Sequence, residues 1–366
     1  DVLGSRGLGD VYKRQVQRML LLQSELKWLN MEAIRLAYED MKRIEGFDAV
    51  KYLPILTELE QQVKQGFGNI YSGDEAVLAN AEKAVANKRA ILLANPLLNG
   101  DKILTVRYQL GNRDRRAMAP ELGTQSNNWS NQESARRKGF NADIVELSNL
   151  RDEVQIRTIY KPDNTSSIAD LKLHWDGDRA MFTQTMSDNR WNVFEVKLNN
   201  GDCKKLIDNP EPDLEFYDGT YLPDGRIIAN SNIGYQGVPC VNGSDPVGNM
   251  VLYTPQSKNL RRLTFDQDAN WNPVIMNNGR VMYTRWEYTD LTHYYTRIVM
   301  NMNPDGTEQK ALYGSGSMFP NSTFDVQPLP GYASAFVGII SGHHGVARSG
   351  RLILFDPAKA RKGAAG

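Results

Sequence analysis

The stretch Val274–Trp286, VIMNNGRVMYTRW, decides the fold: an apolar run, an Asn-Gly pair, then a second apolar run. Asn-Gly tolerates positive φ at both central positions of a type I′ turn, so the segment reads as a β-hairpin. Two other stretches have the same form, LHWDGDRAMFT from Leu173 and YLPDGRIIANSN from Tyr221, each with Asp-Gly at the turn. Their turn glycines are Gly177, Gly225 and Gly279, spaced by 48 and 54 residues. A second class of hairpin alternates with the first: FEVKLNNGDCKKLID at 194–208, VLYTPQSKNLRRLTFD at 251–266 and NMNPDGTEQKAL at 301–312. A repeat of roughly 50 residues that supplies two hairpins is what a four-stranded propeller blade requires. Weaker turn candidates at Asn99-Gly100 and Pro330-Gly331 extend the pattern to about five blade fragments. A β-sandwich, the competing all-β arrangement, would not show so long a repeat.

The rest of the chain is read outward from this region. Residues 16–95 carry helical periodicity. Leu26, Leu29, Ala33, Leu36 and Ala37 share a face up to Gly46; Leu53, Leu56, Leu59 and Val63 mark a second stretch, punctuated by Gly66 and Gly68. A third starts at Ser72 or Asp74, either able to cap free N–H groups, and is stopped by Asn95-Pro96. The expectation is three packed helices forming a cap or interaction surface. Residues 1–15, DVLGSRGLGDVYKRQ, resemble a peptide that recurs at the ends of unrelated translated metagenomic assemblies, where adapter DNA is read as coding sequence. They are expected to be a non-native scar. Residues 96–366 are then an all-β propeller, incomplete at its C-terminal end and having six or seven blades when whole.

Composition limits the function classes. The 366 residues hold 43 Lys plus Arg and 43 Asp plus Glu, a formal net charge of zero. A protein that coats nucleic acid needs a basic surplus to neutralise phosphates, so nucleic acid is not an expected partner. No apolar run approaches the roughly 20 residues that span a bilayer. Cys203 and Cys240 are too few for a disulfide framework and lack C-x-x-C spacing. G-x-S-x-G, the phosphate-binding loop and H-E-x-x-H are all missing.

Several long motifs, in order, resemble the propeller-bearing middle region of the hydrazine synthase alpha subunit and its related bacterial proteins. They are Gly237–Val241 (GVPCV), Leu263–Ala269 (LTFDQDA), Asn278–Thr289 (NGRVMYTRWEYT), Met302–Glu308 (MNPDGTE), Ser341–Val346 (SGHHGV) and Leu352–Ala358 (LILFDPA). Leu92–Asn99 (LLANPLLN) resembles the entry to the same propeller. The Asn-Pro-Asp-Gly-Thr element is also similar to the repeat of Tol-type propellers. The resemblance implies an exported protein, periplasmic or extracellular, whose signal peptide is presumed lost with the true N-terminus. Covalent haem needs C-x-x-C-H, which is absent, so hydrazine synthesis is not carried over and no covalent haem is expected.

Candidate chemistry concentrates at a few positions. His343 and His344, half of the four histidines, lie between glycines and offer imidazole ligands to zinc or another transition metal. In the resembled synthase a zinc lies near the catalytic haem, which implies a metal role for Cys240 as a thiolate ligand. Asp266 and Asp268 suit a cation or an acid/base pair. Arg285, Trp286 and Glu287 follow an apolar strand, where Arg can bind an anion and Trp can stack on a sugar or another planar ligand. The expected role is a binding or scaffold module with a protein partner or fused domain, or a small-molecule or glycan ligand. The alternative is a redox or metal-dependent enzyme whose haem or catalytic region lies outside these residues.

Overall fold

The computed structural model describes residues 2–98, 102–108, 137, 141–151, 153–163, 166–239, 242–286, 297–316, 322–341, 350–363 and 366, with residues 2–11 described by their backbone alone. Four helices come first: α1 (Val2–Lys27), α2 (Met31–Met41), α3 (Ala49–Gln65) and α4 (Glu75–Leu92). The sequence suggested three helices. The run through Leu26, Leu29 and Ala33 is broken because the Asn30 side chain caps α2 by accepting the Ala33 N–H at 3.1 Å. Asp48 does the same for α3 through Lys51 N. At α4 the cap is Asp74, whose Oδ1 accepts from Ala76 N and Val77 N, while the Ser72 hydroxyl accepts from Asp74 N. The helices enclose a core of Ile34, Tyr38, Met41, Leu56, Leu59, Ala84 and Ile91.

Eighteen strands follow among the described residues. Blade 1 is β1 (Ile103–Arg107), β2 (Asp143–Ser148) and β3 (Gln155–Tyr160). Blade 2 is β4 (Ile168–Leu173), β5 (Arg179–Thr185), β6 (Trp191–Lys197) and β7 (Cys203–Lys205). Blade 3 is β8 (Phe216–Tyr221), β9 (Ile227–Ser231), β10 (Asn249–Thr254) and β11 (Asn259–Arg262). Blade 4 is β12 (Asn270–Ile275), β13 (Val281–Trp286), β14 (Arg297–Met302) and β15 (Lys310–Tyr313). Blade 5 is β16 (Thr323–Pro328), β17 (Phe336–Ser341) and β18 (Gly350–Phe355). The described residues form five blades, fewer than the six or seven expected of the whole propeller. Among the described residues, blades 1 and 5 have three strands each. The chain divides into two compact units, Asp1–Ile103 with Leu147–Ile156, and Leu104–Glu146 with Arg157–Gly366. In the first, Arg89 and Arg151 donate to the carbonyls of Leu150 and Leu93.

Apolar side chains fill each blade junction. Ile144 and Ile159 meet Ile168 and Phe182; Met181 and Val193 meet Phe216 and Ala229. Ile228 and Met250 meet Tyr283 and Met300; Met282 and Val299 meet Phe336 and Phe355. Burial of this kind is the main stabilising term for such a stack.

The first strands of blades 2 to 5 share a device that a strict strand reading does not reveal. Asp170, Asp218, Asn272 and Asp325 all have φ between 50 and 53°. Each falls inside a register shift of its strand, so each is the extra residue of a bulge. Asn and Asp tolerate this left-handed backbone better than other non-glycine residues. Their side chains link the blades in order. Asp170 Oδ2 accepts from Asp218 N at 3.2 Å, Asp218 Oδ2 from Asn272 N at 2.6 Å, and Asn272 Oδ1 from Asp325 N at 3.3 Å. Asp218 also accepts from Lys172 Nζ at 3.0 Å and Asn230 Nδ2 at 3.2 Å.

Candidate functional site

The β4–β5 and β8–β9 turns lie at the same end of adjacent blades, and a cleft of about 480 Å³ opens between them. Three rings form one wall. His174 lies 4.5 Å from Trp175 and 4.7 Å, edge-on, from Tyr221, measured between ring centroids. His174 is buried, whereas Trp175 is 57% exposed. A charged set forms the other wall around the buried Glu195. Its carboxylate accepts from Tyr221 Oη at 3.1 Å and from Lys204 Nζ at 2.9 Å, with Arg179 Nε at 3.5 Å. Burial first, and the Glu195 charge second, push the Tyr221 phenol well above its usual range. That hydroxyl therefore stays protonated and donates. A second pocket of about 370 Å³ shares Trp175 and Tyr221 and reaches Lys172, Thr220, Val274 and Gln327 on the first strands. Trp175 thus stands on the divide between the inter-blade cleft and the axial pocket.

His174, Asp176 and Asp178 offer ligand atoms close enough for one metal ion. A guanidinium already occupies that position. Arg179 Nη2 reaches His174 Nε2 at 2.8 Å and Asp176 Oδ2 at 3.3 Å, and its Nη1 reaches Asp178 Oδ1 at 2.7 Å. The backbone N–H of Asp176 donates to His174 Nδ1 at 3.1 Å, and Asp176 Oδ2 lies 3.3 Å from the same nitrogen. Both imidazole nitrogens are committed, and a metal would have to displace Arg179. The donor set as arranged fits an organic cation better than a transition metal.

Of the residues singled out from the sequence, Asp266, Asp268, Arg285 and Trp286 fall at the opposite strand ends. Asp266 Oδ1 lies 3.2 Å from Arg285 Nε, and its Oδ2 accepts from Asn270 Nδ2 at 2.9 Å. Asp268 is buried. Trp286 is 1% exposed and packs with Trp271 and Phe324, while Arg297 stacks on its ring at 4.4 Å. The structure brings Asp266 and Arg285 together and places Trp286 in the core. Cys240, Glu287, His343 and His344 lie outside the described residues. Cys203 is a free, half-buried thiol, pushed up to about 11 by burial. The sequence reading gave His174 and Trp175 no site role; their signal is an aromatic pair immediately before an Asp-Gly turn, with Tyr-Leu-Pro before the next one.

Fold and site define a β-propeller with an N-terminal helical segment and a mixed aromatic and charged groove at its turn end. No protein-family model matches the chain, and no curated protein does. Among solved structures, the hydrazine synthase of Kuenenia stuttgartiensis aligns with a TM-score of 0.50 at 10% identity, over 70% of this chain and 37% of that one. TolB from Acinetobacter baumannii aligns at 0.43 and 10% identity, over 75% and 59%. A putative TolB from Agrobacterium tumefaciens aligns at 0.42 and 14%, over 63% and 80%. At these identities the likeness is one of fold. The chain spans less than two thirds of the length of the first two. Among the described residues no helix is long and apolar enough to cross a membrane.

Proposed function

We propose that this chain is the binding module of an exported protein of the hydrazine-synthase-alpha-related group, and that its ligand occupies the groove around Trp175. A single observation carries the reading: a half-exposed indole between two pockets, flanked by fixed donors and acceptors. Such a site suits a small polar ligand with one flat apolar face, of which a sugar ring is the natural example. The ring face stacks on Trp175, and its hydroxyls meet Arg179, Glu195, Lys204 and the Tyr221 hydroxyl. The network is almost charge-balanced, which favours a neutral ligand over a strongly ionic one. No bond-making chemistry is assigned to these residues.

Calorimetric titration with a panel of neutral and acidic oligosaccharides tests the reading. Saturable binding to the native chain is expected, weakened at least about tenfold by Trp175→Ala, as for loss of an aromatic anchor. Thermal stability should be unchanged, since the indole is largely in solvent. Absence of saturable binding across the panel, or equal affinity in the variant, would remove the proposal.

A further inference from the structure

The axial pocket is built from equivalent positions of blades 2 to 5. Lys172, Thr220, Val274 and Gln327 are each the second residue after the left-handed Asp or Asn of their first strand. Each resumes the ladder directly after the bulge, opposite Met181, Ile228, Met282 and Val337 respectively. One repeated backbone device thus presents four different side chains to one pocket of about 370 Å³: an ammonium, a hydroxyl, an isopropyl group and an amide. That volume is within the range of small-ligand sites.

Two of these groups lack partners. Thr220 is buried, at 8% exposed, and among the described residues its hydroxyl has no hydrogen-bond partner. The exposed Gln327 amide has none either. A buried hydroxyl without a partner carries a desolvation cost that a hydrogen bond from a ligand would offset. Lys172 differs. Its ammonium uses two of its three donors on Asp218 Oδ1 at 3.0 Å and the Pro273 carbonyl at 3.1 Å, and the carboxylate balances its charge. An anionic group entering here would find no unpaired cation among the lining residues and would approach Asp218 as well. The remaining wall, Leu171, Val274 and Ile275, is apolar. A plain sugar hydroxyl would satisfy the polar groups and leave that wall facing water.

Given a sugar ring stacked on Trp175, as proposed above, we infer that the axial pocket receives the acetamido group of an N-acetylated amino sugar. An acetamido group is neutral and combines what the pocket is suited to hold. Its carbonyl oxygen accepts from the Thr220 hydroxyl, its N–H donates to the Gln327 carbonyl oxygen, and its methyl meets the apolar wall. Trp175 borders both pockets, so a ring on its indole directs its hydroxyls into the inter-blade cleft and this substituent into the axial pocket.

Calorimetric titration of the full chain with chitotriose and with cellotriose tests the inference, because the two trimers share one β-linked pyranose backbone and differ only in carrying an acetamido or a hydroxyl group on each ring. The native chain should bind chitotriose at least about tenfold more tightly, as leaving one or two such hydrogen bonds unmade implies. Thr220→Val should reduce that preference to less than about threefold, whereas Thr220→Ser, which keeps the hydroxyl, should retain it. Should Thr220→Val fail to fold, Gln327→Ala, at an exposed residue, should reduce the preference in the same way. Trp175→Ala should weaken both trimers alike, which separates stacking from the substituent. Equal affinity of the native chain for the two trimers overturns the acetamido assignment and leaves the groove reading standing. A preference that survives in both Thr220→Val and Gln327→Ala overturns its placement in the axial pocket. Saturable binding of neither trimer also overturns it, and the groove reading falls with it only where no other oligosaccharide binds.

Discussion

Asp218 shows how much structure one side chain can organise. It holds a left-handed backbone, accepts from the blade ahead through Asn272 N, and neutralises Lys172 in the axial pocket. Asp218→Ala removes the acceptor and strands a half-buried lysine, so a loss of about 3–5 kcal/mol is expected in denaturant melts, as for breaking a buried ion pair. Asp218→Asn keeps the tolerance for positive φ and one acceptor oxygen, so its cost should be clearly smaller. An alanine variant as stable as the asparagine one would show that the inter-blade bonds are incidental. Glu215 gives a pH signature. Burial raises its carboxyl above the ordinary value of 4.5, against the lowering pull of Arg137. A raised acid binds its proton more tightly when folded, so the stability it lends is complete below pH 4.5 and declines as pH rises through the folded value. Relative to the native chain, Glu215→Gln should flatten the fall in melting temperature above that pH; parallel curves would contradict the assignment. Both residues lay within reach of a sequence reading only in part. The bulge residue precedes the turn glycine by seven positions in three repeats, Asp170 to Gly177, Asp218 to Gly225 and Asn272 to Gly279. A strict alternation of two passes over it, because a bulge breaks the alternation it sits in.

At the scale of elements, the hairpins were the legible part and the helix breaks were not. The Asp-Gly and Asn-Gly pairs mark the hairpins, but only their glycines, Gly177, Gly225 and Gly279, are left-handed, with φ of 71, 83 and 79°; Asp176, Asp224 and Asn278 are not, so the turns are not the type I′ turns the sequence suggested. Gly201 in the β6–β7 turn needs the same conformation at 78°, but a side chain there would also place Cβ 2.5 Å from the Ile159 carbonyl oxygen in blade 1. Gly177 has open space around it. Gly177→Ala should therefore cost about 1–2 kcal/mol, the strain of a left-handed residue alone. Gly201→Ala should cost about 1–3 kcal/mol more, as an overpacked junction does. Equal losses would mean that blades 1 and 2 are not in contact there. In the helical unit, Asn30 was missed because Leu26, Leu29 and Ala33 keep helical spacing across the break, and only a capping bond reveals it. Asp74→Ala should lower stability by about 1 kcal/mol, the ordinary value of an N-cap, measured by urea unfolding of the full chain.

For the whole molecule, the repeat of hairpins was enough to reach a propeller, whereas the groove was out of reach. Trp175 and Tyr221 belong to different blades, and no local motif connects residues that only the stacking of blades brings together. The same stacking buries Trp286, which the sequence presents as freely as Trp175. Radical footprinting with mass spectrometry compares all the tryptophans at once and tests the central claim, that the turn-end groove is where this propeller binds. Trp175 and Trp28 are both exposed, at 57% and 74%, and both should oxidise readily in the free chain, while Trp191, Trp271 and Trp286 should not. In the presence of a saturating oligosaccharide from the titration panel, Trp175 should become protected while Trp28 oxidises as before. If Trp175 oxidises at the same rate with and without the bound oligosaccharide, the groove is not the binding site.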